Sequence, residues 1–136
     1  MRPLFVSFFI PSFNIGGAEK ALIELANMLS QMNWHVDILV MAKDGPLQYK
    51  VNSSIDIVDL KCNKNSQAII ALRKYFNSSN SQLVLTSVYS TGLTAIVARL
   101  ISRKKPKIII GAHNSLYAKI NQPDNFKDKH FLLPLC

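Results

Sequence analysis

Unbroken apolar stretches alternate along the chain with stretches whose apolar residues recur at helical spacing. The unbroken stretches show no alternation of apolar and polar positions, which is typical of strands buried on both faces of a parallel sheet. They predict strands at residues 4–10, 36–41, 83–88 and 107–112, and the apolar Ile55, Ile57, Val58 and Leu60 predict a shorter fifth strand at residues 55–60. The first is followed directly by Pro11 and has no small-residue cleavage motif, so we interpret it as a strand and not as a signal peptide.

Between these strands, apolar residues return every three or four positions and predict helices. The clearest case starts at Ala18 and ends near Asn33, with the charged Glu19, Lys20 and Glu24 off the apolar stripe. The other two helices are predicted at residues 67–76 and 91–102. Strands that alternate with helices require right-handed crossovers, so the pattern predicts an α/β fold with a doubly wound parallel sheet.

The pattern weakens after residue 115, and residues 126–136 predict the start of a further helix. This tail ends within an apolar run that contains Leu132, Leu133 and Leu135. A complete domain rarely ends in this way, so we expect residues 1–136 to form one domain that is incomplete at its C-terminus. We also expect the three leucines to be exposed or paired between copies of the chain.

Composition supports a folded protein. Hydrophobic residues make up 49% and charged residues 18% of the 136 residues, which argues against disorder. No apolar stretch approaches the roughly 20 residues that span a bilayer. The two cysteines, Cys62 and Cys136, cannot form a disulfide framework, and we expect free thiols in a reducing, cytoplasmic compartment.

The chain is strongly basic, with 16 Lys and Arg residues against 8 Asp and Glu residues and a net charge of +8. Such a surface attracts phosphate in nucleic acids, anionic lipids or phosphorylated ligands. The one concentrated run is Arg103-Lys104-Lys105-Pro106-Lys107. It suits either a solvated helix end and turn or a contact with a membrane or polyanion.

A glycine pair stands between the first predicted strand and the first helix, in the segment Asn14-Ile15-Gly16-Gly17-Ala18-Glu19-Lys20. Backbone N–H groups and the helix dipole favour a phosphate at such a place. Glycines also allow positive φ angles and close backbone approach. The segment has neither the dinucleotide spacing G-x-G-x-x-G nor the Lys-Ser/Thr of a P-loop. A phosphate cradle and a structural tight turn both remain open.

The segment from Pro11 to Lys20, continuing through Leu25-Ala26-Asn27 to His35-Val36, resembles the opening of retaining glycosyltransferases of family 4. That opening has a strand, a small or polar loop, Gly-Gly-Ala-Glu, a helix with Leu-Ala-x-x-Leu, and Gly-His-x-Val. The present chain departs from it with Asn33-Trp34-His35-Val36. The resemblance is strong over about the first 45 residues and returns at Gly111-Ala112-His113-Asn114-Ser115.

The resemblance implies that the chain is the N-terminal, acceptor-side half of a GT-B enzyme, which consists of two Rossmann-like domains. It further implies that Gly16 and Gly17 meet the pyrophosphate of the donor and that His113 lies near the transferring sugar as a catalytic group. Ligands of open α/β sheets bind at the carboxyl ends of the strands. The candidates for substrate contact near that edge are Asn14, Glu19, Tyr89, Ser90 and Asn114. We expect His35, at a helix-to-strand junction, to be structural.

As a family 4 enzyme, the whole protein is expected to transfer a sugar from a nucleotide diphosphate sugar to a glycan, lipid-linked or small-molecule acceptor, with retention of configuration. The nucleotide sugar is a co-substrate, and no cofactor, metal or nucleic acid is expected, since the sequence shows no cluster with metal-ligand spacing. The net charge favours envelope polysaccharide synthesis, with peripheral docking on the inner face of the membrane. Without the C-terminal donor domain, this chain is expected to be inactive.

Two alternatives differ from this interpretation. A dinucleotide-binding module could use Asp44, at the end of the second strand, to bind a ribose hydroxyl, although its glycine spacing does not fit. The second alternative is a non-catalytic remnant from a truncated or frameshifted reading frame, which does not conflict with the family resemblance.

Overall fold

The computed structural model describes residues 4–14, 16–86 and 89–111, and at residues 89 and 90 it describes the backbone alone. Five strands and three α-helices lie within these ranges, as the sequence predicts, and a 3-10 helix at Pro46–Lys50 was not predicted. The predicted tail helix and its three leucines lie outside the described residues. In chain order, the elements are β1 (Phe5–Ile10), α1 (Gly17–Gln31), β2 (His35–Val40), β3 (Asp56–Asp59), α2 (Asn65–Ser78), β4 (Leu83–Thr86), α3 (Tyr89–Ile101) and β5 (Lys107–Ile110).

The five strands form one sheet in the order β3-β2-β1-β4-β5, and every pairing is parallel. β1 is central, and its Phe8 is in register with Ile38 of β2 and with Leu85 of β4. The chain builds outwards from β1 to β3 and then returns to the other side of β1 to add β4 and β5. The strand order therefore reverses between β1 and β4, which is the switch point of a doubly wound sheet.

Helices cover both faces of this sheet. On one face, β1 residues Val6 and Phe8 pack with Leu22 and Ile23 of α1. On the other face, Phe9 packs against α2 and α3. Because both faces are buried, the central strand has no polar side, which is why its sequence does not alternate. Truncation of Phe8 or Phe9 to alanine is expected to cost about 3–5 kcal/mol of folding free energy.

Helix α1 ends at a residue in the left-handed conformation. Asn33 has a φ of 66°, and the N–H of the following Trp34 donates to the carbonyl oxygen of Leu29 at 3.1 Å. Asparagine is one of the few residues other than glycine that adopts this conformation readily. Asn33 therefore turns the chain from α1 into β2 at the position where the resembling family motif has glycine.

Candidate active site

Two loops flank the switch point at the carboxyl edge of the sheet. One follows β1 and contains Asn14 and Gly16, and the other follows β4 and leads into Tyr89 and Ser90 at the start of α3. Since β1 and β4 are paired neighbours, their ends lie about 4.8 Å apart in the hydrogen-bonding direction. The fold thus brings these two groups of predicted residues to the same crevice. The predicted His113 and Asn114 lie outside the described residues.

The N-terminus of α1 opens at this crevice. Gly16 is the residue before the helix, and among the described residues no side chain caps the first turn with a hydrogen bond. The Gly16 carbonyl oxygen accepts the first helical hydrogen bond, from Lys20 N–H at 3.0 Å. A helix that starts without a side-chain cap leaves backbone N–H groups and its positive dipole end for an anion.

The carboxylate of Glu19 lies beside Gly16. A Cβ at position 16 would stand 2.3 Å from Glu19 Oε2, so this carboxylate fills the space that a side chain would need. The sequence argument that glycine serves a positive φ here is wrong for Gly16, whose φ of −160° and ψ of 151° are extended. The close approach to the backbone that the structure shows here is that of the Glu19 carboxylate to Gly16.

A glycine at the carboxyl end of β2 fixes the start of this loop. Gly45 follows β2 with a φ of 117°, and a Cβ there would stand 2.3 Å from the carbonyl carbon of Phe13. The N–H of Phe13 donates to the carbonyl oxygen of Asp44 at 2.7 Å, and the N–H of Leu47 donates to that of Phe13 at 2.9 Å. The only sequence signal was an Asp-Gly-Pro turn at the carboxyl end of a strand.

The other side of the crevice is fixed in a similar way. The hydroxyls of Thr86, at the end of β4, and Thr91, in α3, share a hydrogen bond of 2.5 Å. A Cβ at Gly92 would stand 2.6 Å from Cδ1 of Ile110, so α3 packs closely on the end of β5. The N–H of Gly111 donates to the carbonyl oxygen of Thr86 at 2.7 Å. These contacts hold the backbone of the first turn of α3 at the carboxyl edge.

This arrangement coincides with a match to a known family. The family model of Glycosyltransferase Family 4 matches residues 15–135, which include the glycine pair and most of the described chain. The chain belongs to glycosyltransferase family 4.

A curated relative agrees with this family. The chain is 30% identical over 124 residues to the Campylobacter jejuni protein named GalNAc-alpha-(1->4)-GalNAc-alpha-(1->3)-diNAcBac-PP-undecaprenol alpha-1,4-N-acetyl-D-galactosaminyltransferase. The matched region covers 84% of this chain and 34% of the relative. The chain therefore spans about a third of the length of this relative.

In this family 4 domain, the basic run serves the end of a helix. Lys105 Nζ donates to the carbonyl oxygens of Arg99, Leu100 and Ser102 at 3.0–3.1 Å, and Lys104 Nζ donates to that of Ser79 at 3.3 Å. A cation at a helix C-terminus satisfies free carbonyls and opposes the negative end of the dipole. The run lies at the amino edge of the sheet, opposite the crevice, because it precedes β5. These contacts place Lys104 and Lys105 at a helix end and turn, which is one of the two interpretations of the run.

The described cysteine is an unreactive thiol and no candidate nucleophile. Cys62 is free and buried, and its Sγ donates to the carbonyl oxygen of Leu60 at 3.1 Å. Burial, and to a smaller extent the carboxylate of Asp59, raise the pKa of the Cys62 thiol. None of the described helices is long and apolar enough to cross a membrane.

Proposed function

We propose that this chain is the acceptor-side domain of a retaining glycosyltransferase that uses a nucleotide diphosphate sugar. The observation that carries the proposal is the uncapped start of α1 at the switch point between β1 and β4, with Glu19 folded over Gly16. The family match over residues 15–135 supports the same chemistry.

In this proposal, the diphosphate of the donor binds at the N-terminus of α1. Backbone N–H groups beginning at Gly17 and the helix dipole would stabilise the leaving diphosphate as its charge develops. This assistance needs no metal ion. The Glu19 carboxylate would swing away from Gly16 when the diphosphate arrives and accept hydrogen bonds from sugar hydroxyls.

The remaining predicted residues would complete the crevice from the other loops. Tyr89 and Ser90 begin α3 directly after β4, and Asn14 precedes the glycine pair, so all three follow strands on the functional edge. His113 follows β5, and we propose that its imidazole donates a hydrogen bond to the transferring sugar. Asn114 is proposed to contact the same substrate.

For the acceptor, we propose a glycan linked to a polyprenyl diphosphate. The Campylobacter jejuni relative carries an undecaprenol diphosphate-linked glycan in its name, and the net charge of +8 suits a substrate with phosphates at an anionic surface. A second domain, outside these 136 residues, would hold the nucleotide. By itself, this chain would bind a nucleotide sugar weakly and transfer nothing.

Peripheral docking on the anionic inner leaflet of the membrane forms part of this proposal. Helix α3 exposes the apolar side chains of Leu93, Val97 and Leu100 at helical spacing, and the exposed Arg103 and Lys107 follow it. An apolar stripe next to cations suits an anionic lipid surface. Vesicles with phosphatidylglycerol are expected to bind the chain more tightly than neutral phosphatidylcholine vesicles do. Equal binding to both kinds of vesicle would contradict the proposal that the cations attract anionic lipid.

The test of the transferase is a transfer assay on the full-length enzyme. Nucleotide sugars are supplied one at a time with an undecaprenyl diphosphate-linked glycan, and the product is identified by mass and its anomeric configuration by NMR. The expected product is the acceptor extended by one sugar, with the anomeric configuration of the donor. A folded enzyme that extends none of the acceptors with any donor would overturn the proposal.

A further inference from the structure

Three potential metal ligands meet at the amino edge of the sheet, opposite the crevice. His35 is the first residue of β2, and Asp37 lies two residues further on the same face of that strand. The register pairs Asp37 with Asp56, the first residue of β3. One imidazole nitrogen and one oxygen from each carboxylate lie within 4.8 Å of one another. The sequence showed no cluster with metal-ligand spacing, because Asp56 joins His35 and Asp37 only through strand pairing.

Asp37 is the buried member of this group, and half of its carboxylate lacks a hydrogen bond. Its side chain is 9% exposed, and its Oδ2 accepts a hydrogen bond of 2.5 Å from the hydroxyl of Tyr75. Oδ1 is also buried but has no hydrogen-bond partner among the described residues. A buried charged oxygen without a partner costs several kcal/mol unless a cation or donor compensates it.

The Nε2 of His35 lies 3.3 Å from this oxygen. With its proton on Nδ1, a neutral histidine offers the lone pair of Nε2 and the carboxylate offers a second oxygen lone pair, so the two atoms can bind one cation. Two ligands of a tetrahedral zinc ion, with bonds of about 2.0–2.1 Å, stand about 3.3–3.4 Å apart. The observed separation matches that geometry.

Neighbouring side chains fix the orientation of Asp37 and His35. The Tyr75 hydroxyl that donates to Asp37 also lies 2.7 Å from Ser7 Oγ, which in turn donates to Ser81 Oγ at 2.7 Å. The ring of Phe5 lies against the His35 imidazole with 4.0 Å between their centroids. Metal ligands are commonly held by such hydrogen bonds and contacts, which fix their orientation before the ion binds.

We propose that His35, Asp37 and Asp56 bind one divalent cation of the zinc class at the amino edge of the sheet. His35 and Asp56 are exposed, so an ion can enter and Asp56 can close on it by a side-chain rotation, while water completes the coordination. The ion would join the starts of β2 and β3. This site lies at the opposite edge of the sheet from the sugar crevice, so it is separate from catalysis and independent of the proposed transferase function.

The test is a Zn²⁺ titration of the 136-residue chain against a chromophoric chelator, repeated with Co²⁺, whose visible absorption reports tetrahedral coordination. One ion per chain is expected. Asp56→Asn and His35→Gln each change an exposed side chain, so both variants should fold, which circular dichroism checks. Each is expected to weaken Zn²⁺ binding at least about tenfold. The matched controls Glu24→Gln, on the exposed face of α1, and Asp44→Asn should bind as the unaltered chain does.

Two results would overturn the proposal. One is the absence of saturable Zn²⁺ binding by the folded chain. The other is binding that persists unchanged in folded Asp56→Asn and His35→Gln, which would place the ion elsewhere. A case of this second result is loss of binding in Cys62→Ser with no loss in Asp56→Asn, which would assign the ion to the thiol.

Discussion

Gly45 lies against Phe13 so closely that a Cβ on the glycine would stand 2.3 Å from the carbonyl carbon of the phenylalanine. The contact joins the loop after β2 to the loop after β1. One backbone hydrogen bond on each side of Gly45 reinforces it, from Phe13 N–H to Asp44 and from Leu47 N–H to Phe13. Phe13 itself is fully buried. The glycine loop that opens α1 therefore begins from a fixed point, which lets a short loop hold a defined shape at the crevice.

Replacement of Gly45 by alanine tests this contact. With a φ of 117° and a ψ of 162°, the residue lies in a region that only glycine adopts readily, and the new methyl group would clash with backbone. Gly45→Ala is expected to lower the free energy of unfolding by about 3 kcal/mol in urea denaturation. The control is Gly16→Ala, whose methyl meets the mobile end of Glu19 and should cost about 1 kcal/mol or less. Equal losses of unfolding free energy in Gly45→Ala and Gly16→Ala would contradict the role given to the contact between Gly45 and Phe13.

The hydroxyl of Tyr75 supports the buried carboxylate of Asp37. Burial, followed by this hydrogen bond, raises the pKa of Tyr75, so the hydroxyl remains a donor at neutral pH. Tyr75→Phe leaves Asp37 without its donor and is expected to cost about 1–3 kcal/mol of folding free energy, measured by chemical denaturation. Tyr49→Phe is the matched control, because Tyr49 is 93% exposed and its hydroxyl can bond to water. A Tyr75→Phe chain as stable as this control would contradict the role of the hydrogen bond.

Asn33 tests the turn between α1 and β2. At a φ of 66°, an alanine is expected to cost about 1 kcal/mol, whereas glycine should be tolerated without loss. Thermal unfolding of Asn33→Ala and Asn33→Gly compares the two directly. If alanine were tolerated as well as glycine, the left-handed conformation would not explain why asparagine can replace the glycine of the family motif.

The proposed role of His113 predicts a kinetic change without a structural one. A hydrogen bond that forms mainly in the transition state lowers kcat more than it raises KM. His113→Ala in the full-length enzyme is therefore expected to lower kcat about a hundredfold, with an unchanged melting temperature. The two quantities are measured on one preparation. A structural histidine would give the reverse result, a lower melting temperature with nearly normal kcat.

The fold could be predicted from local pattern because the strands are mostly apolar and each helix carries one apolar stripe. The ends of the helices were harder to predict. Helix α2 extends from Asn65 to Ser78, beyond the predicted residues 67–76, because polar residues at its ends carry no periodic signal. Of the candidate site, the position of the glycine pair was predictable because a strand-to-helix junction is a local feature.

Contacts between distant residues were not predictable from one sequence. The φ of Gly45 follows from its packing on Phe13, which is 32 positions earlier in the chain (45 − 13). Likewise, Tyr75 reaches Asp37 across 38 positions, and Asp56 joins His35 and Asp37 through strand register. Such relationships depend on the assembled sheet, and no periodicity in the sequence indicates them.

The most direct test of the proposed donor site is the KM for the nucleotide sugar in full-length Gly16→Ala enzyme. The added methyl group displaces the Glu19 carboxylate and blocks close approach to the N-terminus of α1. If the donor diphosphate binds there, this KM should rise about tenfold, equivalent to the loss of one hydrogen bond to a charged group, while the KM for the acceptor stays the same. A folded Gly16→Ala enzyme with an unchanged donor KM would contradict the account.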